Sequence, residues 1–543
     1  MKTLPRPIAL IATAVVALSA VVGCSSENQV TVDDEEHPGF GYQVAGELRT
    51  TNAGSLEGSS AHVQALSGKL YPGVYVPGPS GQMIPNTDLV TTQVIPGAER
   101  RVKYTLSEQA VFSDGTPVTC SDYLLAFTAG MNPEVFGSHM PLFDDASELN
   151  CTPGSKEFTV IFKEGRGARW RGLFEAGTVL PAHAVAQRLG VTLEQLDEEL
   201  NSGDPIRMRS VADVWRSGFD LKNFDSDLQA SFGPYKVDSV GDQGEVRLVA
   251  NEFYYGDAPT EPRLVVWPGS VDSEALAKDS LLMVGDLRDN APSWYDPDAE
   301  MNRLEVETVV GELTETLTFP RTGDWSVAEY RQALLRCLDP GSVAAASSQV
   351  AGVDVPMAPV HVVQHGDPLA RRLGDVAGQR LNVNVEAASA IAGLKVRVGY
   401  PYPSDRYAAM VDSMRRSCEP AGVEIVDAAG DGKTLADLAR LEYDDTGELT
   451  STEGTIDALL HVVDPMTEYP AAANRAEDLG ALRAQEGYLW DELPSIPLAA
   501  EPSTFAVDRS VANVVPYTGS TGIGWNLNRW QLKQSGEAHQ NSE

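Results

Sequence analysis

The sequence predicts a large protein of mixed α/β class with two or three domains. Between about residues 47 and 270, short alternating strands such as residues 101–105 occur beside helical segments such as residues 121–130. A second mixed block, from about residue 275 to 480, carries an apolar strand at residues 394–400. The chain has 543 residues, of which 42% are hydrophobic. That length predicts more than one core, because single cores stop growing near about 250–300 residues.

The N-terminal segment predicts where the protein works. Lys2 and Arg6 precede an apolar run at residues 8–22, which ends in Gly23 and Cys24. This pattern is typical of a lipoprotein signal peptide, 1–23, with cleavage before Cys24 and a lipid such as palmitate on that cysteine. A plain membrane-spanning helix is the alternative, but it needs about 20 apolar residues. Residues 24–46 are polar and acidic and predict a flexible tether. We expect a protein anchored by lipid at the extracytoplasmic face of the cell membrane.

The net charge limits the partners. It is −36 for the whole chain. Nucleic acid and anionic lipid surfaces are therefore poor partners. The negative electrostatic field of the protein would favour a cationic ligand, although the need for solubility outside the cell explains the same net charge.

The cysteine count predicts two disulfides. Besides Cys24 the chain has four cysteines, an even number. Cys337 and Cys418 each end an apolar helical stripe, so both are expected in one core and are paired here. Cys120 and Cys151 then form the second bridge, and each bridge would contribute about 3.5–4.5 kcal/mol by the chain-entropy model. Buried free thiols are the alternative. No spacing of these cysteines suggests a metal cluster.

Five segments occur in a specific order: Leu70-Tyr-Pro-Gly-Val with Gly81-Gln-Met-Ile-Pro, Ala110-Val-Phe-Ser-Asp-Gly-Thr-Pro-Val-Thr119, Gly233-Pro-Tyr-Lys-Val237 with Asn251-Glu-Phe-Tyr254, Tyr330-Arg-Gln-Ala-Leu to Leu338-Asp339, and Leu493-Pro-Ser-Ile-Pro497. Together they resemble the oligopeptide/dipeptide/nickel-type solute-binding lipoproteins of bacterial ABC importers, solute-binding protein family 5, in the style of its actinobacterial branch. Each segment alone is a weak signal. Their order along residues 47–530 makes the resemblance specific.

Most of these segments also have a purely structural interpretation. Asp114-Gly-Thr-Pro is a turn in which glycine permits positive φ, and Thr119 is expected to cap the following helix with Asp122 near its N-terminus. Such residues shape the scaffold, so the ligand-binding residues must lie elsewhere.

The resemblance implies a two-lobed α/β fold, like periplasmic binding proteins of class II or cluster C, with a hinge between the lobes. It implies lobe I at 47–272 with an extra subdomain, lobe II at 273–480, and a return to lobe I at 481–543. The lobes would close on a peptide or a similar small solute held between strand edges. Permease subunits of an importer would be the protein partner. We expect a monomer without cofactor, metal or catalytic activity.

The resemblance places the ligand residues only in part. The segment 455–465 matches the ligand strand of the second lobe, so Asp464 is the expected partner of a ligand ammonium, with His461 beside it. A turn-forming aspartate before proline is the alternative. In the first lobe, Ser55-Leu-Glu57-Gly58 would form the opposing edge. No residue is identified that would bind a ligand carboxylate.

Two further candidates lie late in the chain. The strand after Ile496-Pro often presents aromatic side chains to the cleft in this family, but here it reads Ala499-Ala-Glu501. Glu501 is therefore a candidate ligand residue. Trp525 could stack on a ligand, or it could be a core residue.

Other functions leave weaker signals. The chain contains no Gly-x-Ser-x-Gly and no His-Glu-x-x-His. His361 and His365 have helical metal-ligand spacing, but flanking prolines predict a surface strand or loop. Gly430 to Thr434 imitates part of a phosphate loop and is better explained as a turn.

Two functions are the alternatives to solute import: a receptor that reports the ligand without import, and a lipid-anchored hydrolase. Among the ligands of the family, nickel is disfavoured by the lack of a histidine cluster. A sugar ligand is disfavoured because only 7% of the residues are aromatic.

Overall fold

The computed structural model describes residues 40–59, 61–79, 82–288, 292–471 and 478–533. The predicted signal peptide, Cys24 and the rest of the predicted tether as far as residue 39 lie outside these residues. Residues 40–43 of that predicted tether instead form a buried strand, which pairs with residues 264–267 and 284–285 of the main sheet. Within them, no helix combines the length and the apolar character that a membrane crossing requires.

The described chain alternates strands and helices, as the sequence predicts. The strands are β1 (Phe40–Gln43), β2 (Tyr75–Pro77), β3 (Met83–Pro85), β4 (Val90–Ile95), β5 (Arg101–Leu106), β6 (Ala146–Cys151), β7 (Glu157–Phe162), β8 (Tyr235–Val240), β9 (Val246–Ala250), β10 (Arg263–Trp267), β11 (Val284–Leu287), β12 (Leu304–Thr318), β13 (Lys395–Gly399), β14 (Glu424–Asp427), β15 (Leu441–Tyr443), β16 (Leu449–Ser451), β17 (Ala458–Val463), β18 (Ser495–Asp508), β19 (Val511–Ala512) and β20 (Gln531–Leu532). The helices are α1 (Ala61–Leu70), α2 (Cys120–Met131), α3 (Pro133–Phe136), α4 (Ala182–Leu189), α5 (Leu193–Leu200), α6 (Pro205–Ser217), α7 (Ser273–Lys278), α8 (Ala328–Leu335), α9 (Pro340–Ala351), α10 (Pro368–Gly378), α11 (Val385–Ala388), α12 (Asp405–Cys418), α13 (Pro465–Glu468) and α14 (Leu479–Glu492).

One mixed sheet runs through the molecule in the order β14-β13-β17-β12-β18-β11-β1-β10-β9-β8. Its two long central strands, β12 and β18, pair with each other from Leu304 to Thr318. Their register shifts between Val310 and Thr314, which is the irregularity expected where a strand pair bends. A separate four-stranded sheet, β4-β5-β7-β6, packs beside the first half.

Two large hydrophobic cores define two lobes. The first lobe contains the core built from residues within 40–284 and 505–530, and the second contains the core built from residues within 317–499. The chain changes core inside β12 and again inside β18, later than the predicted boundaries at 272 and 480. The reason is physical: Leu276 and Leu282 pack on Trp267 of the first-lobe sheet, while Trp490 of α14 belongs to the second core.

Both predicted disulfides are present. Cys120 at the start of α2 is bonded to Cys151 at the end of β6, and Cys337 is bonded to Cys418 at the end of α12. Each bridge lies within one lobe, so neither restricts movement between the lobes. The predicted cap is also present, since Thr119 and Asp122 form a capping box at α2.

Buried charges surround the crossing strands. Arg406 of α12 forms an ion pair with Glu315 of β12, and both side chains are almost completely buried. The Arg406 guanidinium also lies 4.7 Å from the Tyr407 ring centroid. Nearby, burial raises the pKa of Glu501 to about 8, and repulsion from Glu315 adds to this effect. Burial likewise raises the pKa of Asp286 to about 7. Arg406 therefore compensates the charge of Glu315 and of Glu501.

Candidate functional site: a cleft between the lobes

Three adjoining pockets form a cleft between the lobes. The acidic pocket, of about 680 Å³, contains Glu175, Asp464 and Glu468 in its walls. The Lys433 pocket, of about 600 Å³, shares His461 with it. The Arg321 pocket, of about 900 Å³, shares Glu468. Each pocket has walls from both lobes, so closing or opening the lobes would change all three.

One strand presents an unpaired edge to this cleft. β17 pairs along residues 459–463 with β12, but on its other side β13 reaches only Ala458 and Leu459. Residues 460–463 therefore have no strand partner on that side within the described chain. His461, Val462 and Val463 line the acidic pocket. The main-chain groups of this edge are available to an added strand.

Asp464 lies at the end of that edge and lines the acidic pocket, where sequence reasoning put it. Its Oδ1 accepts hydrogen bonds from the Met466 amide at 2.9 Å and from Gln364 Nε2 at 3.2 Å. The first bond caps α13, so the turn interpretation is confirmed. Burial raises the pKa of Asp464. Its contact with a ligand stays a prediction.

His461 is a neutral polar group of the cleft. Its Nε2 and the Thr318 hydroxyl share a hydrogen bond of 2.9 Å. Burial lowers the pKa of His461 to about 4. The imidazole can therefore offer a hydrogen bond but no positive charge at neutral pH.

The segment around Glu57 differs from the predicted edge. The amides of Gly58 and Ser59 both donate to the Ser55 carbonyl, at 3.1 and 2.8 Å, so residues 55–59 form a turn. The Leu56 amide donates to the Gly137 carbonyl of the same lobe at 2.9 Å, so this segment offers no free strand edge. Glu57 itself is exposed and lines the Lys433 pocket.

Glu501 and Trp525 do not belong to the walls of the three pockets, as far as the described residues form them. Glu501 is buried in β18 beside the Arg406 cluster. Trp525 is half-buried, and its indole nitrogen donates to the Val515 carbonyl at 2.9 Å. A ligand role for either residue is a prediction without a pocket to support it.

A second carboxylate faces Asp464 from the first lobe. Glu175 accepts a hydrogen bond of 3.0 Å from Gln64 Nε2 of α1. Burial raises the pKa of Glu175 to about 8, and repulsion from Asp464 contributes. Glu468 is instead paired across the cleft, since His139 Nε2 donates to it at 2.8 Å. Besides Glu468, the acidic pocket thus holds the carboxyl groups of Asp464 and Glu175, whose negative charge a cationic ligand group would neutralise.

The Lys433 pocket has mixed charge. Arg49 of the first lobe and Lys433 of the second both line it, together with Glu47 and Glu57 of the first lobe. Lys433 Nζ lies 3.3 Å from Asp437 Oδ1. The segment 430–434 is the predicted turn after β14, although a short 3-10 turn follows it rather than an α-helix. Carboxyl groups predominate in the acidic pocket, whereas the Lys433 pocket offers two cations beside two carboxyl groups.

His361 is not the surface residue that the sequence predicts. It lies in a loop, as expected, but is completely buried, and its Nδ1 donates to Glu486 at 2.9 Å. The Glu486 carboxylate also accepts from the His361 amide. Among the described residues, no group of histidine, cysteine, aspartate or glutamate side chains has the arrangement of a metal site.

Comparison with known proteins decides the family. Residues 87–359 match the model of the bacterial extracellular solute-binding proteins, family 5 middle. The chain belongs to this family. Proteins of family 5 bind peptides or other small solutes and work with ABC permeases, and the resemblance predicted from the sequence is confirmed.

The relatives of this family 5 protein are mainly mycobacterial. An uncharacterized lipoprotein of Mycobacterium tuberculosis is 28% identical over 557 residues, which cover 95% of this chain and 96% of the relative. The oligopeptide-binding protein OppA of the same species is 28% identical over 163 residues, 28% of this chain.

Solved structures show the two-lobed fold of this family 5 protein. The oligopeptide-binding protein AppA from Bacillus subtilis, in complex with a nonapeptide, has a TM-score of 0.64 at 13% identity and covers 91% of this chain and 98% of its own. The periplasmic EDTA-binding protein EppA has a TM-score of 0.64 at 18% identity, with 92% and 97% covered. NikZ from Campylobacter jejuni, in complex with Ni(L-His), has a TM-score of 0.60 at 13% identity, with 92% and 100% covered. Such different ligands mean that the fold alone does not identify the solute.

Proposed function

We propose that this family 5 protein captures short peptides with a free amino terminus and passes them, chemically unchanged, to an ABC importer from a lipid anchor on Cys24. The unpaired edge of β17 is the observation that carries the proposal. An extended peptide that adds to this edge gains main-chain hydrogen bonds that do not depend on its sequence. Four residues of edge, 460–463, span about 13 Å, which matches a tripeptide or tetrapeptide.

The charges at the two ends of the edge favour one direction for the peptide. The ammonium group would lie between Asp464 and Glu175 in the acidic pocket. The carboxylate would point toward Arg49 and Lys433. This arrangement pairs opposite charges at both termini and leaves the side chains to the wider parts of the cleft.

The direct test is mass spectrometry of the small molecules released when protein purified under native conditions is denatured. We expect N-terminally free peptides of about three or four residues, from the span of the edge. Recovery of metal chelates or sugars alone would reject the peptide proposal. Loss of uptake of the recovered peptide in a deletion strain would then support import rather than sensing.

Glu175 makes the proposed binding depend on pH. Its pKa is raised to about 8 before a ligand binds, so at pH 6–7 it is mostly protonated. If the ionised form holds the ammonium, binding releases a proton and the affinity falls as pH falls, by about tenfold from pH 7 to pH 6. A peptide amino terminus stays mostly protonated in this range. Titration calorimetry with tetra-alanine at several pH values measures the slope of affinity against pH.

The Glu175→Gln variant should lose that slope, because its amide does not titrate. Glu164→Gln, at an exposed position of the same lobe, should keep it. A slope that persists in Glu175→Gln would remove Glu175 from the ammonium site.

A further inference from the structure

One arginine of the first lobe inserts into the second lobe beside the ligand edge. Arg169 precedes the turn Trp170–Gly172, and Trp170 belongs to the first core. The Arg169 side chain is nevertheless buried among main-chain carbonyls of the second lobe. Its Nη1 donates to the carbonyls of Pro465 and Tyr469, at 2.6 and 2.8 Å, and its Nη2 donates to the Val362 carbonyl.

The three carbonyls border the residues that form the acidic pocket. Pro465 is the first residue of α13 and Tyr469 is its C-cap; the same helix has Asp464 as its N-cap and Glu468 as its last residue. Val362 lies two residues before Gln364, which donates to Asp464. A single guanidinium therefore joins both segments that hold the Asp464 carboxylate.

This contact depends on how close the lobes are. Burial lowers the pKa of Arg169 to about 10, with Asp464, Asp145 and Asp367 opposing the decrease, so the group stays charged at neutral pH. Separation of the lobes would return the guanidinium to water and leave the three carbonyls without this donor. Hydrogen bonds to a charged group are stronger than neutral ones, but here they exist only when the lobes meet.

We propose that Arg169 is a positioning residue that fixes the α13 turn, and with it Asp464 and Glu468, only when the lobes close. The ligand site would then be completed by closure rather than preformed in the second lobe. The role of the turn in holding a peptide ammonium rests on the proposed function. The effect of Arg169 on lobe closure does not rest on the proposed function.

The test measures closure without any ligand. Spin labels at Glu198→Cys in the first lobe and Glu386→Cys in the second, both exposed positions, report the distance between lobes in protein freed of ligand. We expect Arg169→Met to lower the ratio of closed to open molecules about tenfold. Arg169→Lys, which has one compact ammonium, should not restore the ratio because it cannot span three carbonyls. Arg171→Ala, two residues away and stacked on Trp170, is the matched control.

An unchanged distance distribution in Arg169→Met would overturn the inference. If the melting temperature of that variant falls while the distribution stays unchanged, Arg169 is a structural residue only. If the distribution shifts but tetra-alanine does not bind the wild-type protein, the role in closure stands and the peptide proposal fails.

Discussion

Arg406→Ala is expected to destabilise the protein by about 3–5 kcal/mol. The variant leaves Glu315 without its buried partner, in a region that already holds Glu501. An unpaired buried charge costs far more than the ion pair contributes, because the remaining carboxylate cannot reach water. Urea unfolding followed by circular dichroism would show the lower midpoint.

Two further variants separate this explanation from a general loss of packing. Arg415→Ala removes an exposed ion pair with Asp412 on the same helix, and its cost should stay below about 0.5 kcal/mol. Arg406→Met combined with Glu315→Leu removes both charges and should recover most of the stability. If the double variant is as unstable as Arg406→Ala, charge burial is not the cause.

Asp464→Asn is expected to weaken binding of tetra-alanine by about 10- to 100-fold, the range for a lost charge-assisted hydrogen bond. Asparagine keeps the cap of α13, because its side-chain oxygen can still accept from the Met466 amide. The variant therefore removes the charge and leaves the turn in place. N-acetylated tetra-alanine has no ammonium, so its binding should change little. Titration calorimetry compares the two peptides.

A matched control exists for this substitution. Asp339 also precedes a proline and caps a helix of the second lobe, where its side chain accepts from the Gly341 amide. Asp339→Asn should leave binding of both peptides unchanged. An equal loss for free and acetylated peptides in Asp464→Asn would show that Asp464 does not contact the ammonium.

The fold and the disulfide bridges could be predicted from the sequence, because the patterns that indicate them are local or depend only on a residue count. The capping box at Thr119, the ordered motifs and the even number of cysteines each depend on few residues. The lobe boundaries were less accessible, because β12 and β18 are single strands that belong to both lobes. No local pattern marks where such a strand leaves one core and enters the next.

The cleft was the least predictable part, because no local sequence pattern marks which segments meet there. Its walls come from segments near residues 53–64, 139–143, 172–178 and 458–468, which meet only in the folded chain. Asp464 was found because the family resemblance extends to its strand. Glu175 and Arg169 lie in irregular segments without periodicity, and nothing in the sequence indicates that their side chains reach the other lobe.

The position of the bare β17 edge also has a consequence outside ligand capture. An uncovered strand edge at a protein surface is a template for pairing with another molecule, and it promotes aggregation. Here the first lobe shields residues 460–463 from other proteins, while the crevice still admits a short chain. Lobe closure would thus protect the protein from self-association during periods without solute, and variants that hold the lobes apart should be more prone to precipitate.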